Sequence, residues 1–76
     1  MKLTNKLKGK TIKINKLNFN DDYIFHKLNN VGICNNSIVK ILDYSDSKKV
    51  MHLLVYGVEY VLRERDCWNI DVTILS

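Results

Sequence analysis

Proline is absent from this 76-residue chain, and cysteine, glycine and tryptophan are scarce, with two, three and one respectively. No repeat, low-complexity tract or linker interrupts it, so one domain spanning residues 1–76 is expected. The two cysteines, Cys34 and Cys67, do not form a CxxC pair. Small secreted domains that lean on disulfides carry roughly four or more cysteines, so two free thiols in a reducing compartment are expected. No stretch approaches the about 20 apolar residues that cross a bilayer. The basic start, Met1 to Lys10, also lacks the apolar core of a signal peptide. These absences point to a soluble, cytoplasmic protein with no membrane insertion. Gly9, Gly32 and Gly57 are scattered, which excludes a glycine-rich phosphate loop.

What is present is a chain rich in Ile, Leu and Val with an uneven charge. Residues 1–20 carry six lysines and no acid, while the rest carries six cations against eight acids. A basic arm on a slightly acidic body can contact nucleic acid, anionic lipid or an acidic protein face. Here the lysines alternate with apolar residues and lack interleaved arginines or aromatics. They read as the wet face of a strand, which disfavours nucleic acid as a partner.

Hydrophobic periodicity gives strand, helix, then several strands. Thr11 to Phe19 sets Ile12 and Ile14 on one face and Lys13 and Asn15 on the other, with a bend before Leu17 and Phe19. Asn20 is placed to cap a helix over residues 21–31, with Asp21 and Asp22 at the positive end of its dipole. Ile24, Leu28 and Val31 form its apolar stripe, and Gly32 suits the left-handed position that ends it. Strands follow over Ser37–Tyr44, Val50–Tyr56 and the alternating Val58, Tyr60, Leu62, separated by a polar turn at Ser45–Lys49 and by Gly57. Glu64–Asn69 reads as an irregular or 3₁₀ turn holding Trp68. Ile70, Val72 and Ile74 close the chain. The fold class is mainly β with one short helix, and about five short strands in so small a domain predict a closed, strongly bent barrel.

Catalysis finds no support. A site needs a nucleophile or acid–base pair that the fold can bring together, and neither His26 nor His52 sits in a triad or metalloenzyme motif. Cys67 beside Trp68 reads as a small core hydrophobe. The ligand spacings that make zinc sites legible are missing, so neither a metal site nor a cofactor is expected.

A more specific signal lies in two motifs and their separation. Leu28-Asn29-Asn30-Val31-Gly32-Ile33, followed by Ser37-Ile38, precedes Gly57-Val58-Glu59-Tyr60-Val61-Leu62-Arg63 and then Ile70-Asp71-Val72. This order resembles the FeoA family, whose members show a helix ending in Leu-x-x-Met-Gly-Ile or similar, a strand, Gly-x-x-x-x-Leu-Arg and a closing Ile-x-Val strand. The resemblance runs from Lys8 to Leu75. Asn35-Asn36 stands where the family usually has Pro-Gly, and Asn36 can take the left-handed conformation of that glycine. Cys67 stands where the family often has alanine. By physical reasoning Leu62 fills the core, Gly57 permits a hairpin, and Arg63 points outward.

The resemblance implies a small SH3-like β-barrel and a role in bacterial ferrous iron uptake. It implies a non-catalytic accessory protein that binds the cytoplasmic GTPase part of the FeoB-type ferrous iron transporter. Tyr and Arg are enriched at binding hot spots, which makes Tyr23, Lys27, Arg63 and Arg65 the expected partner-binding residues. The alternative is a small basic barrel binding nucleic acid through the lysine arm. A direct iron carrier ranks last, because no two-His-one-carboxylate cluster can be placed. An exposed strand edge leaves room for weak pairing of two copies.

Overall fold

A computed structural model describes the whole chain, Met1–Ser76. Its elements are β1 (Thr11–Leu17), α1 (Asp22–Asn30), β2 (Ile38–Ser45), β3 (Val50–Val55), β4 (Val58–Arg63), α2 (Glu64–Cys67) and β5 (Ile70–Ile74), with a 3₁₀ turn at Asn5–Leu7. The strands make one antiparallel sheet in the order β4-β3-β2-β1-β5. The mainly β, SH3-like architecture agrees with the expectation. The sheet curls into a barrel-like form without closing by hydrogen bonds, since β4 and β5 do not pair. The short α2 connects these two edge strands.

Two bulges bend the sheet around its core. Asn15 is the extra residue between the pairs Ile14↔Val72 and Lys16↔Asp71, so Leu17 turns inward although it lies an odd number of positions from Ile14. Leu42 does the same between Ile41↔Leu53 and Asp43↔His52. The core gathers Ile12, Ile14, Val39, Ile41, Met51, Leu53, Val55, Ile70 and Val72, all essentially inaccessible to solvent. Leu3 and Leu7 join it from the lysine-rich start, a contribution that the charge pattern of those residues concealed. The segment before the 3₁₀ turn also covers the free side of β5, through Leu3 N–H to Ile70 O at 3.0 Å and Val72 N–H to Met1 O at 2.7 Å.

The helix begins one residue later than expected. Asp21, not Asn20, is its N-cap, and the Asp21 carboxylate accepts from the Tyr23 N–H at 2.9 Å. Asp21 holds the extended φ and ψ that a cap requires, and its charge adds to the dipole interaction. At the other end Gly32 takes φ +90°, and the N–H of Ile33 reaches back to Leu28 O at 2.8 Å. The connection to β2 is then stitched by Ser37, the one buried polar side chain. Its hydroxyl donates to Gly32 O at 2.7 Å and accepts from the Cys34 N–H at 3.2 Å. Asn36 adopts φ +73°, the left-handed conformation expected of it.

Two further expectations are corrected. Within Glu64–Asn69, expected as an irregular or 3₁₀ turn, Glu64–Cys67 is a turn of α-helix. Leu62 is half-buried at the rim of the core instead of filling it, because β4 is an edge strand covered on one side only.

Candidate partner-binding groove

Tyr23 and Lys27 lie one turn apart on α1 and therefore share a face. Ile24 and Leu28, also one turn apart, point toward the core. Across from them β4 contributes Val61, Leu62 and Arg63, and α2 contributes Asp66. The two sides enclose a groove of about 270 Å³, apolar at its floor and charged at its mouth. Tyr23 is 73% exposed at one lip. Arg63 stands at the opposite lip, its Nε–H donating to Asp66 Oδ2 at 3.0 Å and its Nη2–H to Oδ1 at 3.4 Å. That fork orients the guanidinium and leaves its remaining N–H groups free for a partner's oxygens.

Three of the four residues expected at a binding surface thus converge here. Arg65 does not. It faces the other side of α2 and lines a second groove of about 500 Å³ with Lys48, Lys49, Glu64 and Trp68, to which Arg63 also contributes. Sequence reasoning missed this groove. Arg65 and Trp68 are three residues apart across one helical turn, a spacing that puts them on a common face opposite the buried Cys67. Lys48 and Lys49, in the β2–β3 turn, come close only because β3 returns beside β4.

The electrostatics of this second groove are positive. Lys49 Nζ is 3.0 Å from Asp46 Oδ1, which holds the ammonium pKa above its usual value. The Glu64 carboxylate accepts a hydrogen bond from the Tyr44 hydroxyl, which pushes the phenol pKa up. Lys48 and Arg65 have no ion-pair partner.

Elsewhere the candidate chemical groups stay apart. No three His, Cys, Asp or Glu side chains are placed to hold a metal ion. His52 Nδ1 lies 3.0 Å from Glu59 Oε1, and His26 stacks edge-on against Phe25. Both thiols are free, and burial pushes Cys67 up to about 12. No helix is long and apolar enough to cross a membrane.

The family model of the FeoA domain matches residues 1–74. A search of curated proteins finds no match. The FeoA protein from Chlorobium tepidum has a solution structure with a TM-score of 0.90 at 18% identity, the match covering 100% of this chain and 71% of that one. Iron(II) transport protein A from Clostridium thermocellum follows at a TM-score of 0.86 and 20% identity, over 99% of this chain and 46% of that one. ScaR, crystallised with bound Cd²⁺, matches at a TM-score of 0.76 and 26% identity, over 93% of this chain but 35% of its own.

Proposed function

The chain belongs to the FeoA family, and on that premise we propose that it is a non-catalytic, cytoplasmic accessory protein of ferrous iron uptake. As one domain, residues 1–76, it docks on the cytoplasmic GTPase part of a FeoB-type transporter and modulates it. The observation that carries this reading is the groove between α1 and β4, where an exposed tyrosine and an oriented arginine flank an apolar floor. Hot spots favour such a combination, an aromatic and an Arg beside a site that can be desolvated.

The test is capture of membrane proteins from a host lysate with the purified chain as bait. Recovery of a GTPase-bearing ferrous iron transporter is expected. Tyr23→Ala and Arg63→Ala should each weaken retention about tenfold or more, the effect of a hot-spot truncation. Arg65→Ala, on the far side of α2, should leave capture nearly intact. A transporter that binds all three variants alike would refute the groove as the docking face.

A second reading draws on the groove around Trp68, which is 46% exposed among four cations. An indole beside positive charge is a stacking platform for single-stranded nucleic acid. Capture of nucleic acid alone, falling steeply with salt and lost in Trp68→Ala, would replace the transporter reading with this one.

A further inference from the structure

The two edges of the sheet are treated differently. The outer side of β5 is covered by the chain's own first residues. The outer side of β4 pairs with no strand, since β4 bonds to β3 alone and faces α1 only across the groove of about 270 Å³. The hairpin joining β3 to β4 is a tight turn of Tyr56 and Gly57, both at positive φ, so Val55 and Val58 form its first hydrogen-bonded pair. Bonded and non-bonded pairs then alternate along the ladder. Val58, Tyr60 and Leu62 bond to β3, while the N–H and C=O groups of Glu59 and Val61 and the N–H of Arg63 turn toward the open side; the Arg63 C=O, at the N-cap, faces α2.

Natural edge strands are usually blunted by proline, lysine or a bulge. β4 has no proline, lysine or bulge, its two charges, Glu59 and Arg63, are of opposite sign, and its register with β3 runs unbroken from Val55↔Val58 to Val50↔Arg63. Val61 is 53% exposed at the middle of it.

The sequence of this edge is complementary to itself. Glu59-Tyr60-Val61-Leu62-Arg63 carries an acid and a base at equal distances from Val61. We propose that β4 is a self-association surface, on which a second copy of this chain pairs antiparallel about a two-fold axis through Val61. In that register Glu59 of each copy stands opposite Arg63 of the other, Val61 meets Val61, and Tyr60 lies beside Leu62. Each Val61 exchanges both its N–H and C=O bonds with its counterpart, and each Arg63 N–H reaches the Glu59 C=O of the other copy. Opposite charges directly across a ladder stabilise it and like charges oppose it. Sliding the strands either loses both ion pairs or sets like charges face to face. The pairing is isologous, so it closes at a dimer.

This surface is short, which places the association among weak, transient ones, with a dissociation constant on the order of 0.1–1 mM. The pairing does not rest on the transporter reading. It does hide Val61 and Arg63, so dimer formation and occupation of the α1–β4 groove exclude each other.

Sedimentation equilibrium of the full chain, from about 10 µM to about 1 mM, tests the proposal. The mass should rise from 8.9 kDa toward twice that value. Glu59→Arg and Arg63→Glu should each weaken the dimer at least tenfold, because each sets like charges opposite. An equimolar mixture of the two variants restores both ion pairs, so the mixed dimer should form within a fewfold of the original strength. Val61→Pro removes an outward N–H that β3 does not use, and should abolish the dimer with the amide spectrum of the fold retained. If Arg63→Glu unfolds through loss of its Asp66 pair, Glu59→Arg and Val61→Pro still decide. A chain that stays at 8.9 kDa up to about 1 mM overturns the proposal. So does a dimer indifferent to Val61→Pro, or a mixture of folded charge variants that fails to associate.

Discussion

Replacing Gly32 by alanine probes the joint between helix and barrel, and the structure supplies both parts of its cost. The first is conformational. At φ +90° an L-residue meets its own backbone, a penalty of about 1–2 kcal/mol. The second is steric. A Cβ at Gly32 would lie 2.9 Å from the Cδ2 and 3.0 Å from the Cε2 of Tyr56, and 3.5 Å from a methyl of Val55. Tyr56 is 75% exposed, so its ring can swing aside, at about 0.5–1.5 kcal/mol for leaving its rotamer. Gly57 provides the control. It holds φ +80° with nothing within 4 Å of a built Cβ, so Gly57→Ala carries the conformational cost alone. Urea denaturation should therefore show Gly57→Ala less stable by about 1–2 kcal/mol, and Gly32→Ala by about 1.5–3.5 kcal/mol, with m unchanged. In a chain of this size each kcal/mol lowers Tm by about 4–8 °C. In a Tyr56→Ala background the excess of Gly32→Ala over Gly57→Ala should vanish. An excess that survives removal of the Tyr56 ring would refute the assignment of the steric part. A neutral Gly32→Ala would refute the conformational part as well.

Asp21→Ala should cost about 1 kcal/mol of stability through loss of the N-cap, while Asn20→Ala stays within about 0.5 kcal/mol. Equal effects in urea denaturation would argue against the cap seen here. Iodoacetamide should label Cys34 in the native protein and reach the fully buried Cys67 only on unfolding, as peptide mapping would report. The Cys67 thiol is raised from its ordinary 9.0 to about 12, so above about pH 9 the unfolded chain loses this proton first. Its stabilising contribution is complete below that pH and declines through about pH 12 by up to about 1.4 kcal/mol per pH unit. Cys67→Ala should remove this decline. A slope unchanged in that variant would assign it to another group.

Much of the architecture is legible from residue order because period and turn chemistry are local. Alternation at Ile12 and Ile14, the Ile24–Leu28–Val31 stripe, the helix end at Gly32 and the left-handed Asn36 all follow from steric preferences within a few residues. The family motifs, read over most of the chain, added the SH3-like arrangement that local pattern alone leaves open. Tertiary structure decided what depends on neighbours distant in sequence. Leu3 and Leu7 enter the core because the first segment lies along β5, although its lysines mark it as a wet arm. Leu62 is half-buried because β4 has a partner on one side only, and edge or centre is a property of strand order. The bulges at Asn15 and Leu42 reverse the inward face partway along a strand, which no fixed period of two can express. The different placing of Arg63 and Arg65 has the same origin. Two positions apart they look like one basic site, but the strand ends between them and the chain turns into α2, so Arg63 stands between the two grooves and lines both while Arg65 lines only the one at Trp68.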